Sequence, residues 1–200
     1  MCINKSNLIK QKIALERELI SKLNLTDFSQ IVIWGTEISG TFIFNLLKNN
    51  KSFFLENNSE IVSFCDTFAH LKDKQNINDT KIFSPAECFE KFPNALYLIA
   101  SHSFEKIVES IRLYQPINHR IKFTNALKYI GFEYFEISSS GKILAFNKNK
   151  KIELDDFHSF VCEYDSNKCL NFEFHFKRIN WLIENLEENK IRAPINIFIY

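Results

Sequence analysis

The sequence predicts an α/β protein built on a mostly parallel sheet with helices on both faces. Three observations carry that expectation. Short apolar runs, "IVIW" (31–34), "EIVSFCD" (60–66) and "ALYLIA" (95–100), each end at a glycine, acidic or serine turn. Helical patterns alternate with them, and a strand apolar on nearly every residue is what a sheet covered on both sides requires. The third is the start of "SPAECFEKF". Ser84 stands as an N-cap, Pro85 takes the first helical position, and Glu87 follows the cap by three residues to close a capping box.

Taken in order, residues 5–23 form an amphipathic helix. Leu8, Ile9, Ile13, Leu15, Leu19, Ile20 and Leu23 fall on one half of its circumference. After "IVIW" and Gly35, a second helix runs from about Ile38 to Leu47. The strand 60–66 comes next, then a short strand "KIF" (81–83), the capped helix and the strand 95–100. "SHS" leads into a helix reaching Tyr114, and "RIKFTN" (120–125) is a fifth strand. Right-handed connections between such units give a doubly wound domain over 29–131.

Past Gly131 the pattern changes. "FEYFEISSSGKILAF" reads as a β-hairpin turning at "SSSG". "LDDFHSFVCEY" reads as a short helix, and "RINWLIENLEENK" is helical within a helix expected over about 169–189. The stretch "NFEFHF" (171–176) alternates as a strand would, and "PINIFIY" is apolar enough to pack. The expected organisation is an N-terminal helix (1–28), the main domain (29–131) and a small α+β C-terminal appendage (132–200).

Composition excludes several classes. With 46% hydrophobic and 24% charged residues the chain is globular. Its 21 Phe accompany heavy use of Asn, Lys and Ile, the usage of an AT-rich genome, and are not a functional signal. A net charge of +1, with no basic cluster beyond "NKNKK", provides no footprint for nucleic acid. No run approaches the length of a membrane span, and the charged N-terminus is not a secretory signal. Cys2, Cys65, Cys88, Cys162 and Cys169 are odd in number and contain no C-x-x-C, so reduced thiols and a cytoplasmic location are expected.

The chemistry centres on "GTEISG" (35–40). A dinucleotide fingerprint places Gly at its first, third and sixth positions; here they are Gly35, Glu37 and Gly40. The outer glycines serve the tight turn and the approach of helix to strand. The middle one would let a pyrophosphate reach the backbone, and Glu37 opposes that with bulk and negative charge. Asp66 ends the second strand, where an acid accepts hydrogen bonds from a ribose diol or caps its own turn. Strand ends also supply Thr36, Thr67, Ser84, Ser101-His102-Ser103 and Thr124-Asn125 as a polar rim. His102 is its general-base candidate, or a simple helix cap. A second group comprises His158, Cys162, Cys169 and His175. His158 and Cys162 share a helical face as zinc ligands can, but the remaining spacings match no compact zinc module, so no metal is expected. Cys65 belongs to the core.

The stretch from "IVIWGTEISG" through "FCDTF" and "SPAECFEKF" to "LYLIAS", residues 31–102, resembles the Rossmann-like domain of bacterial carbohydrate-modifying proteins. That domain precedes FkbM-type methyltransferases and, in a related form, sugar acyltransferases. The resemblance implies a nucleotide or nucleotide-sugar ligand, with Gly35, Gly40 and Asp66 on the family's glycine turn and ribose acid. Neither catalytic half follows: hexapeptide repeats are absent, and what lies after 131 is too short for a methyltransferase. The expected function is therefore a stand-alone Rossmann-like domain of surface-carbohydrate metabolism. It would bind a nucleotide, NAD(P) or a nucleotide sugar weakly through Gly35, Thr36, Glu37, Gly40, Asp66 and Ser101, or act as a partner subunit. The alternative is a structural or interaction protein that kept the fold and assembles through its N-terminal helix or hairpin, as a homodimer or with another protein.

Overall fold

A computed structural model describes residues 5–23, 25–50, 59–71, 75–114, 120–148, 150–167 and 170–187. The first helix, α1 (Lys5–Leu23), buries Leu8, Leu15, Leu19, Ile20 and Leu23. Ile9 and Ile13, expected on the same stripe, lie at its edge and are partly exposed. Strand β1 (Gln30–Trp34) then feeds α2 (Ile38–Asn49). After it come β2 (Glu60–Cys65), β3 (Asn76–Ile77), β4 (Thr80–Phe83), α3 (Pro85–Lys91), β5 (Leu96–Ile99), α4 (Phe104–Tyr114) and β6 (Ile121–Asn125). The second half adds β7 (Lys128–Tyr129), β8 (Tyr134–Ile137), β9 (Ile143–Asn147), β10 (Lys150–Leu154), α5 (Phe157–Asn167), β11 (Leu170–Asn171) and α6 (Phe172–Glu187).

Among the described residues the main sheet has nine strands in the order β10-β9-β8-β6-β5-β1-β2-β4-β3. Its centre is parallel: β1 pairs with β2 on one side and β5 on the other, and β4 and β6 extend each flank in parallel. The chain thus leaves β1 in one direction and later crosses over to the other. Trp34 is the residue where this matters, paired with Cys65 across β2 and Ile99 across β5.

Alternation along β1 divides the core. Ile31 and Ile33 face a cluster containing Leu15, Leu19, Ile43 and Phe176, from α1, α2 and α6. Val32 and Trp34 face the opposite cluster with Phe89, Val108, Phe123 and Phe157, reaching α3, α4 and α5. Helices therefore cover both faces, which is why β1 and β5 carry apolar residues on consecutive positions. Each such side chain, fully buried, contributes about 1.5–3 kcal/mol. Much of the Phe content is here. Phe157 of α5 packs edge-on or tilted against Phe104, Phe123 and Phe135 with ring centroids 5.5–6.2 Å apart.

The structure differs from the sequence expectation in four places. The core strands are mostly parallel as expected, but the sheet as a whole is mixed, because β3, β8, β9 and β10 each pair antiparallel with their neighbours. The hairpin after Gly131 joins the main sheet through β8 against β6, with Phe135 opposite Phe123. A third strand, β10, extends that hairpin, while β3 folds back on β4 through Asn78 and Asp79. Both turn residues have positive φ (47° and 66°), the backbone a two-residue hairpin loop demands and Asn and Asp tolerate. The last helix starts at Phe172, because Leu170 and Asn171 pair with β7 instead. The "PINIFIY" segment lies outside the described residues. No described helix is long and apolar enough to cross a membrane.

Candidate functional site

Both glycines of "GTEISG" are required by packing. Gly35 has φ of 124°, a conformation that strains any L side chain, and a Cβ there would meet the Ala100 carbonyl oxygen at 2.8 Å. Its N–H donates to the Cys65 carbonyl at 2.9 Å, tying the turn to the end of β2. Gly40 is tighter. A Cβ at Gly40 would stand 1.9 Å from the Gly35 carbonyl oxygen, so the first turn of α2 lies directly on the glycine turn. The two packing roles expected of these glycines are thus present without reference to any ligand.

Glu37 takes the N-cap position of α2 with extended backbone (φ −80°, ψ −165°) and makes no side-chain cap hydrogen bond. It is exposed, and it lines a cavity rather than plugging it. That cavity, of about 760 Å³, opens at the carboxyl ends of β1, β2 and β5. Gly35, Thr36, Glu37, Asp66, Ser101 and His102 all contribute to its wall. Gly40 does not, being buried behind the turn. Its volume falls within the roughly 300–1,000 Å³ of small-molecule sites.

Asp66 is buried, at 9% exposure. Oδ2 accepts a hydrogen bond from the Thr36 hydroxyl, across 30 residues of chain. Oδ1 accepts from the Phe68 N–H at 2.8 Å, an Asx turn of the kind Asp makes where a strand gives way to a loop. Its own N–H donates to the Phe83 carbonyl at 3.0 Å. Asp66 therefore caps the β2 turn and fastens it to the glycine turn.

Across the cleft, Ser101 Oγ accepts from the Ser103 N–H at 3.1 Å, shaping the entry to α4. His102 between them is exposed. Thr67 and Ser103 complete the rim on the cavity wall, whereas Asn125 and Ser84 are held by local structure. Asn125 Oδ1 accepts from the N–H groups of Leu127 and Lys128 at 2.9 and 3.0 Å. Ser84 and Glu87 form the expected capping box, away from the cavity.

Of the wall residues that had not been expected, Phe68, Leu71 and Lys106 add new chemistry. Phe68 and Leu71 lie just past Asp66 and are 60% and 71% exposed, an apolar lip on the β2 side. Lys106, in the first turn of α4, brings a cation to the β5 side. Exposed apolar residues three apart, directly after a strand-terminal acid, were the available signal for the lip. A second cavity, about 360 Å³, adjoins the first through Ser101, His102, Ser103 and Lys106, and Lys128 adds another cation there.

The His158–Cys162 pairing on one helical face is present, and Glu105 joins it from α4. Cys169 lies outside the described residues, as does the side chain of His175. Cys65 and Cys88 are buried thiols, whereas Cys162 is exposed. Burial pushes the Cys65 thiol well above its usual pKa, with a hydrogen bond to Cys88 adding to the effect, as befits a core residue.

Comparison of the chain with protein-family models, curated proteins and solved structures found no match.

Proposed function

We propose that the chain is a doubly wound, Rossmann-like domain that binds a nucleotide-type ligand in the cleft above β1, β2 and β5. The observation that carries this reading is the position of the 760 Å³ cavity. It lies at the carboxyl ends of the parallel strands, where β2 and β5 depart to opposite sides of β1. Ligands of open α/β sheets bind at such switch points. The strand order β4-β2-β1-β5-β6 agrees with the first five strands of a dinucleotide fold.

The wall chemistry narrows the ligand. Asp66, on the wall at the end of β2, is the acid this reading assigns to a sugar diol, and Phe68 and Leu71 beside it offer an apolar platform for a base. Glu37 repels a pyrophosphate from the glycine turn, whereas Lys106 attracts negative charge on the opposite wall. The best fit is a nucleoside whose charged group extends toward α4. A nucleotide sugar satisfies this and agrees with the bacterial carbohydrate setting, which rests on the resemblance of residues 31–102.

A second reading has its own observation. Both Asp66 oxygens are already engaged by Thr36 and Phe68, and both glycines serve packing. A protein that kept the turn for folding alone, and works through a protein partner, would look the same there. A thermal-shift panel of nucleotides, NAD(P), S-adenosylmethionine and nucleotide sugars separates the two. A ligand at a hundredfold its Kd stabilises by about 2.7 kcal/mol, raising Tm by roughly 5 to 10 °C. A flat panel would leave the interaction reading standing.

A further inference from the structure

The second half of the chain holds a side-chain relay that the cleft does not use. Phe157, the first residue of α5, packs on Phe104, the first of α4, with ring centroids 5.8 Å apart. Asp156 fixes the start of α5, accepting from the Ser159 N–H at 3.0 Å and from its hydroxyl at 2.6 Å. The residues following these two anchors, His158 and Glu105, are thereby brought together across 53 positions of sequence. His158 Nδ1 contacts Glu105 Oε2, and Nε2 lies 3.7 Å from Cys162 Sγ one turn along α5. The imidazole thus stands between a carboxylate and a solvent-exposed thiol.

We propose that Cys162 is a nucleophilic thiol, with His158 as its base and Glu105 as the positioning residue, and that it accepts an acyl group from an activated carboxyl donor such as a thioester. The order thiol, imidazole, carboxylate is that of an activated nucleophile whose base is oriented by a third group. Cys162 gives its proton to Nε2, while Glu105 holds the proton on Nδ1. The thiolate attacks the carbonyl carbon, forming a carbon–sulfur bond. The adduct collapses by breaking the bond to the leaving thiolate, which takes the proton back from Nε2. No oxidant or reductant is needed.

Two features define the donor. The relay can both take and return a proton, which acyl transfer uses and simple alkylation does not. Glu105 of the relay and Val161, next to Cys162 in sequence, form part of the 360 Å³ cavity wall that also carries Lys106 and Lys128. An acyl donor with an anionic carrier suits that wall. The charged and titratable groups facing His158 are Glu105 from α4, Asp156 ahead of α5 and Cys162. Glu105, by hydrogen bond and then by charge, holds the imidazole above its usual pKa, and Asp156 adds to this. A stronger base results.

The same three residues have ligand atoms within 4.8 Å of one another, close enough to consider a metal centre. A metal would need all three donors around one point. Here the two ring nitrogens face different partners on different sides of the ring, which favours the relay.

The test is acetylation of the full chain by p-nitrophenyl acetate, followed at each cysteine by peptide mass spectrometry as pH is raised through neutrality. The expected result is selective acetylation of Cys162, roughly a hundredfold faster than in His158→Asn, a general-base contribution of ordinary size. Buried Cys65 and Cys88 stay unlabelled until urea is added. In Glu105→Gln the rising limb of the pH–rate profile moves to lower pH and its plateau falls, which loss of packing alone would not produce. Equal rates in the wild type and His158→Asn would overturn the proposal. So would cobalt(II) binding with a thiolate charge-transfer band that disappears in His158→Asn, which would assign the cluster to a metal instead. The outcome is independent of whether a nucleotide binds in the cleft.

Discussion

A Cβ on Gly40 would sit 1.9 Å from the carbonyl oxygen of Gly35, so the sixth position of "GTEISG" is closed to every other residue. The obstacle is backbone and cannot rotate away. Gly40→Ala must push α2 off the end of β1, where Ile43, Phe44, Leu46 and Leu47 are buried. We expect a loss of more than about 4 kcal/mol in urea unfolding, the range reserved for strain and core disruption. A loss below about 1 kcal/mol would mean that the turn tolerates displacement and is not a rigid platform.

The bond from the Thr36 hydroxyl to Asp66 joins the glycine turn to the β2 turn across the cleft floor. Hydrogen bonds to charged groups contribute about 1.5–3 kcal/mol, and Thr36 is only half-buried. Thr36→Val should therefore lower stability by about 1.5 kcal/mol, the low end of that range. Asp66→Ala should cost more, since it also removes the acceptor of the Phe68 N–H. If a ligand is found in the panel, Asp66→Ala must also weaken it. Unchanged affinity would remove the ribose assignment while leaving the structural role intact.

The α3 capping box makes a pH prediction. Ser84, through its hydroxyl and then its N–H, holds the Glu87 carboxyl below its ordinary pKa. A carboxylate depressed in the folded state contributes stability that is present above its unfolded value, about 4.3. That contribution is lost as pH falls through the lower folded value. The urea midpoint of the wild type should exceed that of Glu87→Gln at neutral pH, with the gap closing on acidification. Ser84→Ala should cost about 1 kcal/mol at neutral pH. A gap that widened in acid would contradict the assigned cause.

These elements were readable because their causes are local. "IVIW" before Gly35 and Ser84-Pro85 with Glu87 each signal through a few adjacent residues. The extent of the sheet was not readable, because β8 lies on β6 through a register between Phe123 and Phe135 that no local pattern encodes. Strand β10, "KKIEL", carries too many charges to stand out and owes its place to pairing with β9. The same holds at the sites. Gly35, Thr36, Glu37, Asp66, Ser101 and His102 could be placed on one cleft because strand ends converge in any parallel sheet. Glu105 could not, since its partner His158 is 53 positions away, and Lys106 could not, since nothing local sets it apart from other exposed lysines.

Phe68 and Leu71 separate the two readings of the cleft most directly. At 60% and 71% exposure they bury little of their apolar surface in the protein itself. Phe68→Ser and Leu71→Ser should therefore leave stability within about 0.5 kcal/mol of the wild type, as for surface positions generally. A base stacked on an aromatic side chain loses about 1–3 kcal/mol when that side chain is removed, which is roughly five- to 150-fold in Kd. Calorimetry on the best ligand of the panel should show that loss in Phe68→Ser and a smaller one in Leu71→Ser. Thermal melts of the free proteins should coincide with the wild type. If affinity is unchanged as well, the apolar lip does not hold a base. Two such residues left uncovered beside a 760 Å³ cavity would then be better explained by the surface of a protein partner.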